Sequence, residues 1–315
     1  MNCLCCGKPL KDNDKYNGWH QACIKRFFEA PVIPTIEITD AALEALAEES
    51  INKGYTVPGV QKKLSLHLSR ETHPRLTVMN YPTGYILKPQ VKEFRALPEA
   101  EQLVMCMADQ AGIKTVPHAL IKSGDSYAYI TKRIDRKFSK ETSIQMFAME
   151  DFCQLDQRLT QDKYKGSYER CGKIIKQYSS TSGLDRTELF YRLVFSFIVG
   201  NSDMHLKNFS LIETETGSEL YRLSPAYDLL PVNVIMPEDK EQFALPMNGK
   251  KTNIRRKDFL VFADACEISK ASAKKMIERL VSMTPVFIKM VNESLMPQDM
   301  KESMTEIISK RASVL

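Results

Sequence analysis

VFSFIVGNSDMHLKNFSLI, Val194–Ile212, leaves few folds open to the chain that contains it. Two apolar runs flank a polar island, NSDMHLKN, which carries Asp203, His205, Lys207 and Asn208. Apolar flanks seek the interior, and polar groups beside an interior must be hydrogen-bonded or reach water. The island is therefore held at a definite place by its flanks. Upstream, RTELFYRLVFSFIVG has a strongly apolar helical pattern that stops at Gly200-Asn201, a favoured helix end. Downstream, NFSLIETETGSELYRLS reads as two strands around a Thr-Gly-Ser turn. The open end of a hairpin brings its termini together. The return strand leads through LYRLSPAYD to Asp228, which is expected beside Asn208, with Asp203 five residues earlier.

Two carboxylates and a carboxamide at one spot are oxygen donors of the kind that suits Mg²⁺, which keeps waters and takes substrate phosphates. An Asp-x-x-x-x-Asn followed by a hairpin and a second Asp is the catalytic arrangement of protein kinases. In that arrangement Asp203 orients and deprotonates the attacking hydroxyl, Asn208 and Asp228 hold the metal, and Lys207 stabilises charge on the transferring phosphoryl group. A plain capped loop between helix and hairpin is the competing reading of the island alone. Upstream pieces favour the kinase arrangement. GYILKPQ puts Lys88 at the end of an apolar strand, and PEAEQLVMCMADQAG puts Glu101 in the first turn of the next helix. GYTVPGVQKKLSL lies where a phosphate-covering loop belongs. Its Gly54 and Gly59 have Walker A spacing, but Val60-Gln61 replaces Lys-Ser/Thr, which disfavours a P-loop NTPase.

Along the chain, residues 1–30 form a cysteine-rich module. Residues 31–135 mix strands with helices and form an N-lobe. Residues 136–315 are mostly helical and form a C-lobe. Thr39 or Asp40 is expected to cap a helix over AALEALAEESINK. Strands are expected at Lys63–Leu68, RLTVMN, GYILKPQ and SYAYITKRIDR, and a helix at Pro98–Gly112 with Pro at its start and Gly past its end. The tail carries helical patterns such as SAKKMIERLVSM. The fold class is thus α+β. With 315 residues, 43% hydrophobic and 26% charged, the chain can bury a good core, and a net charge of +5 permits an anionic partner without demanding one. No apolar run reaches membrane-spanning length and the N-terminus lacks a signal pattern, so no membrane association is expected and the cytoplasm is the expected location.

Together the blocks VPGVQKKLSL, YILKP, LPEAE, KRIDR, MEDFCQL, NSDMHLKNFSL and LSPAYDLLPV resemble the HipA-like serine/threonine kinases, toxins of bacterial toxin–antitoxin systems. The resemblance covers about residues 50–300. It implies a two-lobed, protein-kinase-like fold, Mg²⁺ and ATP, autophosphorylation, and a protein substrate such as an aminoacyl-tRNA synthetase. It also implies a HipB-like helix-turn-helix antitoxin as partner, with DNA reached only through it. Asp203 matches the catalytic aspartate, Asn208 and Asp228 the metal pair, and His205 and Lys207 the family's Asp-x-His-x-Lys-Asn. Lys88 matches the ATP-phosphate lysine. The backbone of Lys132, Arg133 and Ile134 matches the adenine-binding hinge, and Val57, Pro58, Gly59, Val60 and Gln61 match the phosphate-covering loop. Asp135 and Arg136 match the family's Phe-Asp-Arg, with Ile134 in place of Phe. The loop begins near residue 54, so the N-terminal subdomain of longer members is expected to be missing, as in the short HipT type, where a small HipS-like protein supplies that part. Members autophosphorylate a serine at the position of Thr56, which here has the loop's one hydroxyl at those sites and is the expected self-modification site.

The cysteine module lies outside the family's core pattern. Cys3-x2-Cys6 and His20-x2-Cys23 supply three thiols and an imidazole, a set suited to tetrahedral Zn²⁺ in a zinc-knuckle-like turn. Cys5 is a spare thiol or an alternative to Cys3, and a metal-free turn packed on the N-lobe is the other reading. Trp19, Phe27 and Phe28 are expected to form the module's own apolar anchor, since so few residues build little core alone. His67, His73 and His118 lack metal-ligand spacing and read as surface or packed histidines. Two rivals to a toxin kinase stay open: a small-molecule phosphotransferase, and a binding module for an antitoxin or nucleic acid around a dormant kinase core.

Overall fold

The computed structural model describes residues 2–10, 18–36, 63–69, 74–77, 83–138 and 144–315. The expected helix over AALEALAEESINK, Thr56 and the phosphate-covering residues Val57, Pro58, Gly59, Val60 and Gln61 lie outside these. The chain divides into two units, one of residues 1–102 and 116–134, the other of residues 103–115 and 135–315.

The first unit holds α1 (Gln21–Phe28), β1 (Thr35–Ile36), β2 (Leu64–Leu68), β3 (Arg75–Thr77), β4 (Tyr85–Lys88), the start of α2 (Leu97–Ala111), β5 (His118–Ser123) and β6 (Ser126–Lys132). Its strands form one sheet in the order β1-β3-β2-β4-β6-β5, with β1 parallel to β3 and the other pairs antiparallel. Strand β2 alternates, burying Leu64 and Leu66, as a strand with one covered face must. Strand β4 lies between β2 and β6, and its Tyr85, Leu87 and Lys88 are all buried. Strand β5 is an edge, and the cysteine module covers it. Leu120 N–H donates to the Leu4 carbonyl (2.9 Å), and Trp19 Nε1–H donates to the Leu120 carbonyl (3.1 Å). Such cover removes a row of unpaired backbone groups.

The expected private anchor of the module is a shared one. Trp19, Phe27 and Phe28 pack on each other, but Phe27 and Phe28 also meet the Tyr85 ring, at 5.9 and 5.8 Å between centroids. A short segment cannot enclose three large aromatics by itself, so they borrow the sheet.

The second unit contains β7 (Arg136–Phe138), β8 (Ile144–Met146), β9 (Met149–Asp151), α3 (Phe152–Leu155), α4 (Tyr168–Tyr178), α5 (Ser182–Val199), β10 (Ser210–Glu213) and β11 (Tyr221–Leu223). It continues with α6 (Val232–Ile235), α7 (Arg256–Ala265), α8 (Lys270–Ser282), α9 (Thr284–Glu293) and α10 (Gln298–Ala312). Every residue of α5 from Leu189 on is buried, the mark of a helix enclosed on all sides. Phe190 and Phe197 of that helix meet Phe259, and Phe190 stacks on Phe262. The hairpin of β10 and β11 forms in the expected place, with Leu211 opposite Leu223. It gains an unexpected third strand, β9, with Ser210 opposite Asp151. The expected single strand SYAYITKRIDR is two, β6 and β7, separated at residues 133–135. Strands of three residues show no readable period, which is why β8 and β9 escape a sequence reading. Among the described residues no helix is long and apolar enough to cross a membrane.

Candidate active site

Helix α5 stops because Gly200 takes a left-handed conformation, φ +80°, which a residue without Cβ adopts readily. The Asn201 N–H then reaches back to the Ser196 carbonyl at 2.9 Å. The island that follows is stitched to itself. Asp203 N–H donates to Asn201 Oδ1 (3.3 Å), His205 N–H to the Asp203 carbonyl (2.9 Å), and Asn208 N–H to the His205 carbonyl (3.0 Å). Asn208 Nδ2 donates to the same Asp203 carbonyl at 2.8 Å, which leaves the carboxamide oxygen to act as a ligand.

The hairpin return is pinned to the island by Tyr227. Its hydroxyl donates to the Lys207 carbonyl at 3.0 Å and lies 2.6 Å from Ser210 Oγ. The next residue, Asp228, has φ +60°, a left-handed backbone uncommon for a side chain other than glycine. Asp228 lies close enough for its charge to act on Asp203. The Asp203 carboxyl is raised above its ordinary range, chiefly by burial, and Asp228 and Asp239 push it further, against Tyr164 and Lys163. Tyr164 Oη donates to Asp203 Oδ1 at 2.9 Å, and its ring stands edge-on to His205, 5.2 Å between centroids. Lys207 Nζ donates to Asp151 Oδ2 at 2.6 Å. Asp151 also caps α3 by accepting from Gln154 N–H at 2.9 Å. Mutually repelling carboxylates with a carboxamide oxygen nearby form a donor set that a divalent cation fits.

In the first unit, Lys88 Nζ donates to Glu101 Oε1 at 2.5 Å, with the two side chains 4% and 0% exposed. The strand end supplies Lys88, the first turns of α2 supply Glu101, and the Lys88 ammonium lies 5.1 Å from the centre of the Tyr129 ring. At the segment matched to the hinge, Lys132 N–H donates to the Pro117 carbonyl (3.0 Å) and Arg133 N–H to the Gly84 carbonyl (2.9 Å). Lys132 Nζ pairs with Glu29 at 2.5 Å. These two backbone donors are engaged within the protein, while Ile134 ends the first unit.

The cysteine module brings its four residues together. The ligand atoms of Cys3, Cys6, His20 and Cys23 all lie within 4.8 Å of one another. His20 Nδ1 is 3.4 Å from Cys6 Sγ and 3.9 Å from Cys23 Sγ. Its Nε2 lies 3.1 Å from the Pro9 carbonyl. A carbonyl can only accept, so Nε2 carries the proton and Nδ1 turns its lone pair to the sulfurs, as in a metal-binding histidine. Cys5 is outside the group: its Sγ points at the His118 carbonyl, 3.9 Å away, and burial pushes its thiol up to about 12. Burial and the neighbouring thiols likewise raise Cys23, the cost that a bound cation removes. The donor set fits a zinc ion.

Among the residues of these sites that the sequence did not single out are Tyr164, Asp151 and Tyr227. Tyr227 sits beside Asp228 and could have been found from the hairpin. Tyr164 and Asp151 reach the island from 39 and 56 residues away along the chain, and no local pattern announces them.

The family described as HipA-like C-terminal domain matches residues 55–286. A protein of Haemophilus influenzae named "Putative kinase" is 24% identical, over 98% of this chain and 95% of its own length. "Putative kinase Y4dM" of Sinorhizobium fredii is 29% identical over 71% of this chain, and this chain spans 58% of that protein. Among solved structures, HipA of Shewanella oneidensis, in complex with HipB and operator DNA, aligns with TM-score 0.70 at 17% identity, covering 85% of this chain and 70% of that one. The Helicobacter pylori proinflammatory kinase CtkA aligns with TM-score 0.54 at 15% identity, covering 75% of this chain and 90% of that one. With its family match spanning most of the sequence and its sheet-rich and helical parts following these folds, the chain belongs to the HipA-like C-terminal domain family and has an α+β, kinase-like fold.

Proposed function

We propose that this protein is an Mg²⁺- and ATP-dependent serine/threonine protein kinase acting as a toxin. The observation that carries the reading is the convergence of Asp203, Asn208 and Asp228 at the mouth of one hairpin. Asp203 accepts the proton of the acceptor hydroxyl as its oxygen attacks the γ-phosphorus and ADP leaves. Its raised carboxyl makes it a stronger base than an ordinary carboxylate. Asn208 and Asp228 would hold Mg²⁺, which neutralises charge on the phosphates when bound. Lys207, steadied by Asp151, would stabilise charge on the transferring phosphoryl group, and His205 orders the island around the base. Lys88, oriented by Glu101, binds nucleotide phosphates, and the Ile134 end of the Lys132–Ile134 segment meets the adenine.

Thr56 in the phosphate-covering loop is the proposed autophosphorylation site; nearly two added negative charges there would repel nucleotide. The proposed target class is a translation component such as an aminoacyl-tRNA synthetase, and the proposed partners are a HipB-like antitoxin and, as in the short HipT type, a small HipS-like protein. The structural likeness to a HipA bound to HipB and DNA supports the first of these partners. The Cys3, Cys6, His20 and Cys23 set is proposed to hold structural zinc, tested by metal content with Cys6→Ser as control.

Incubating the protein and a cell extract with Mg²⁺ and γ-labelled ATP tests the kinase. Label on proteins, lost in Asp203→Asn, is the expected result. Label on small molecules alone would establish a metabolite phosphotransferase instead. No turnover by the unmodified protein would establish a dormant core.

A further inference from the structure

The cysteine module does more than cover an edge. Two of its carbonyls, those of Leu4 and Cys5, accept from a single side chain, Gln102 Nε2, at 3.2 and 3.0 Å. Both carbonyls lie between the ligand pair Cys3 and Cys6. The other end of the same amide, Oε1, lies 2.8 Å from His118 Nδ1 on the edge strand. Gln102 is buried, 6% exposed, and so is His118, 5% exposed. A buried carboxamide with both ends engaged is fixed in position, because any displacement strands polar atoms away from water.

Gln102 follows Glu101 in α2. Consecutive helical residues point about 100° apart. One turn of helix therefore presents Glu101 to Lys88 on β4 and Gln102 to the cysteine module. The Leu4–Cys5 backbone is in turn held by the turn it belongs to: Leu4 N–H donates to the Gly18 carbonyl (2.9 Å), Gly7 N–H to the Cys3 carbonyl (2.9 Å), and His20 N–H to Cys3 Sγ (3.4 Å). That turn is shaped around the four ligand residues.

We propose that the metal-loaded cysteine module is a brace for Glu101. Zinc on Cys3, Cys6, His20 and Cys23 sets the Leu4–Cys5 carbonyls, these hold Gln102, and Gln102 holds the start of α2 so that Glu101 keeps Lys88 in place. Gln102 is a positioning residue, and nucleotide affinity depends on zinc through it. The dependence on nucleotide rests on Lys88 being the phosphate-binding lysine; the brace itself does not.

The test uses the full chain, zinc-loaded or stripped with 1,10-phenanthroline under a phosphine reductant. Amide hydrogen exchange is followed over 97–103 and over α5, and affinity is measured for Mg²⁺ with a non-hydrolysable ATP analogue. Stripping is expected to raise exchange over 97–103 while α5 stays protected, and to weaken the analogue about tenfold, the size of one or two lost buried hydrogen bonds. Zinc-loaded Gln102→Leu, which keeps the side-chain bulk, is expected to show the same two changes, and stripping it adds little to either. Gln102→Leu that retains zinc with unmodified exchange and affinity overturns the brace. So does a protein that takes up no zinc, or one whose first unit loses protection throughout on stripping, since the metal would then only hold the fold. Absence of analogue binding to the zinc-loaded protein would refute the kinase reading, while exchange over 97–103 still decides the brace.

Discussion

Asp203 meets two opposed demands. Burial beside Asp228 and Asp239 raises its carboxyl, and the Tyr164 hydroxyl and Lys163 pull it back down. A carboxyl raised in the folded state favours the protonated form there. Its contribution to stability is therefore full below the ordinary carboxylate range and is lost as pH rises through the raised value. Asp203→Asn should melt higher than the unmodified protein at pH 7.5, and the gain should shrink as pH falls toward 4, while phosphoryl transfer is abolished. Scanning calorimetry at several pH values checks this; a lower melting point at pH 7.5 would contradict it. The Tyr164 bond stabilises the ionised Asp203 carboxylate, so, with Asp203 as the proposed base, Tyr164→Phe should move the acid limb of kcat/KM to higher pH. An unmoved limb would mean that Tyr164 does not act on the base.

At the scale of elements, two junctions carry the sites. Helix α5 hands the chain to the island at Gly200. There an added Cβ would face both a left-handed backbone and Ile307 Cγ2 at 3.2 Å. Gly200→Ala is expected to cost about 1–3 kcal/mol of unfolding free energy in urea, and a cost near zero would show that the junction relaxes freely. The second junction joins β4 to α2 through Lys88 and Glu101. Lys88→Met leaves a buried carboxylate and should destabilise by about 3–5 kcal/mol. The double variant Lys88→Met with Glu101→Leu should recover much of that stability, because an apolar pair fits a dry site, yet bind no nucleotide. Recovery of stability without binding would mark the pair as functional rather than structural. The junctions also show what was legible. Gly200 was readable as a helix end and Lys88 as a strand end, since both follow from local periodicity. The 2.5 Å approach of Lys88 to Glu101 needed the sheet to set where α2 begins.

Across the molecule, distant segments finish what local patterns start. In the second unit Arg311 of α10 is buried and donates to the Phe197 carbonyl (2.9 Å) and to Asn233 Oδ1 (2.5 Å). It thus ties the tail to the last turn of α5, two residues before its end at Val199. Lysine cannot reproduce the planar fork, so Arg311→Lys should lower stability by about 1–2 kcal/mol, read from urea denaturation. An unchanged midpoint would show that one bond suffices. In the first unit the same logic joins the cysteine module to β5 and α2, with Leu4 reaching Leu120 and Gln102 from about a hundred residues away.

Local pattern along the chain was enough for the parts whose partners lie close in sequence. These are the α5 helix and its glycine stop, the hairpin that returns Asp228 toward Asn208, and the Cys/His spacing that gathers four ligand atoms. Each rests on a short-range period or turn that composition expresses directly. Which side chains those parts meet depends on long-range packing: Tyr164 on Asp203, Asp151 on Lys207, β9 beside β10, and Gln102 under the Leu4–Cys5 turn. Packing brings such groups together across dozens of residues. Each buried polar atom must then find a partner wherever the fold offers one.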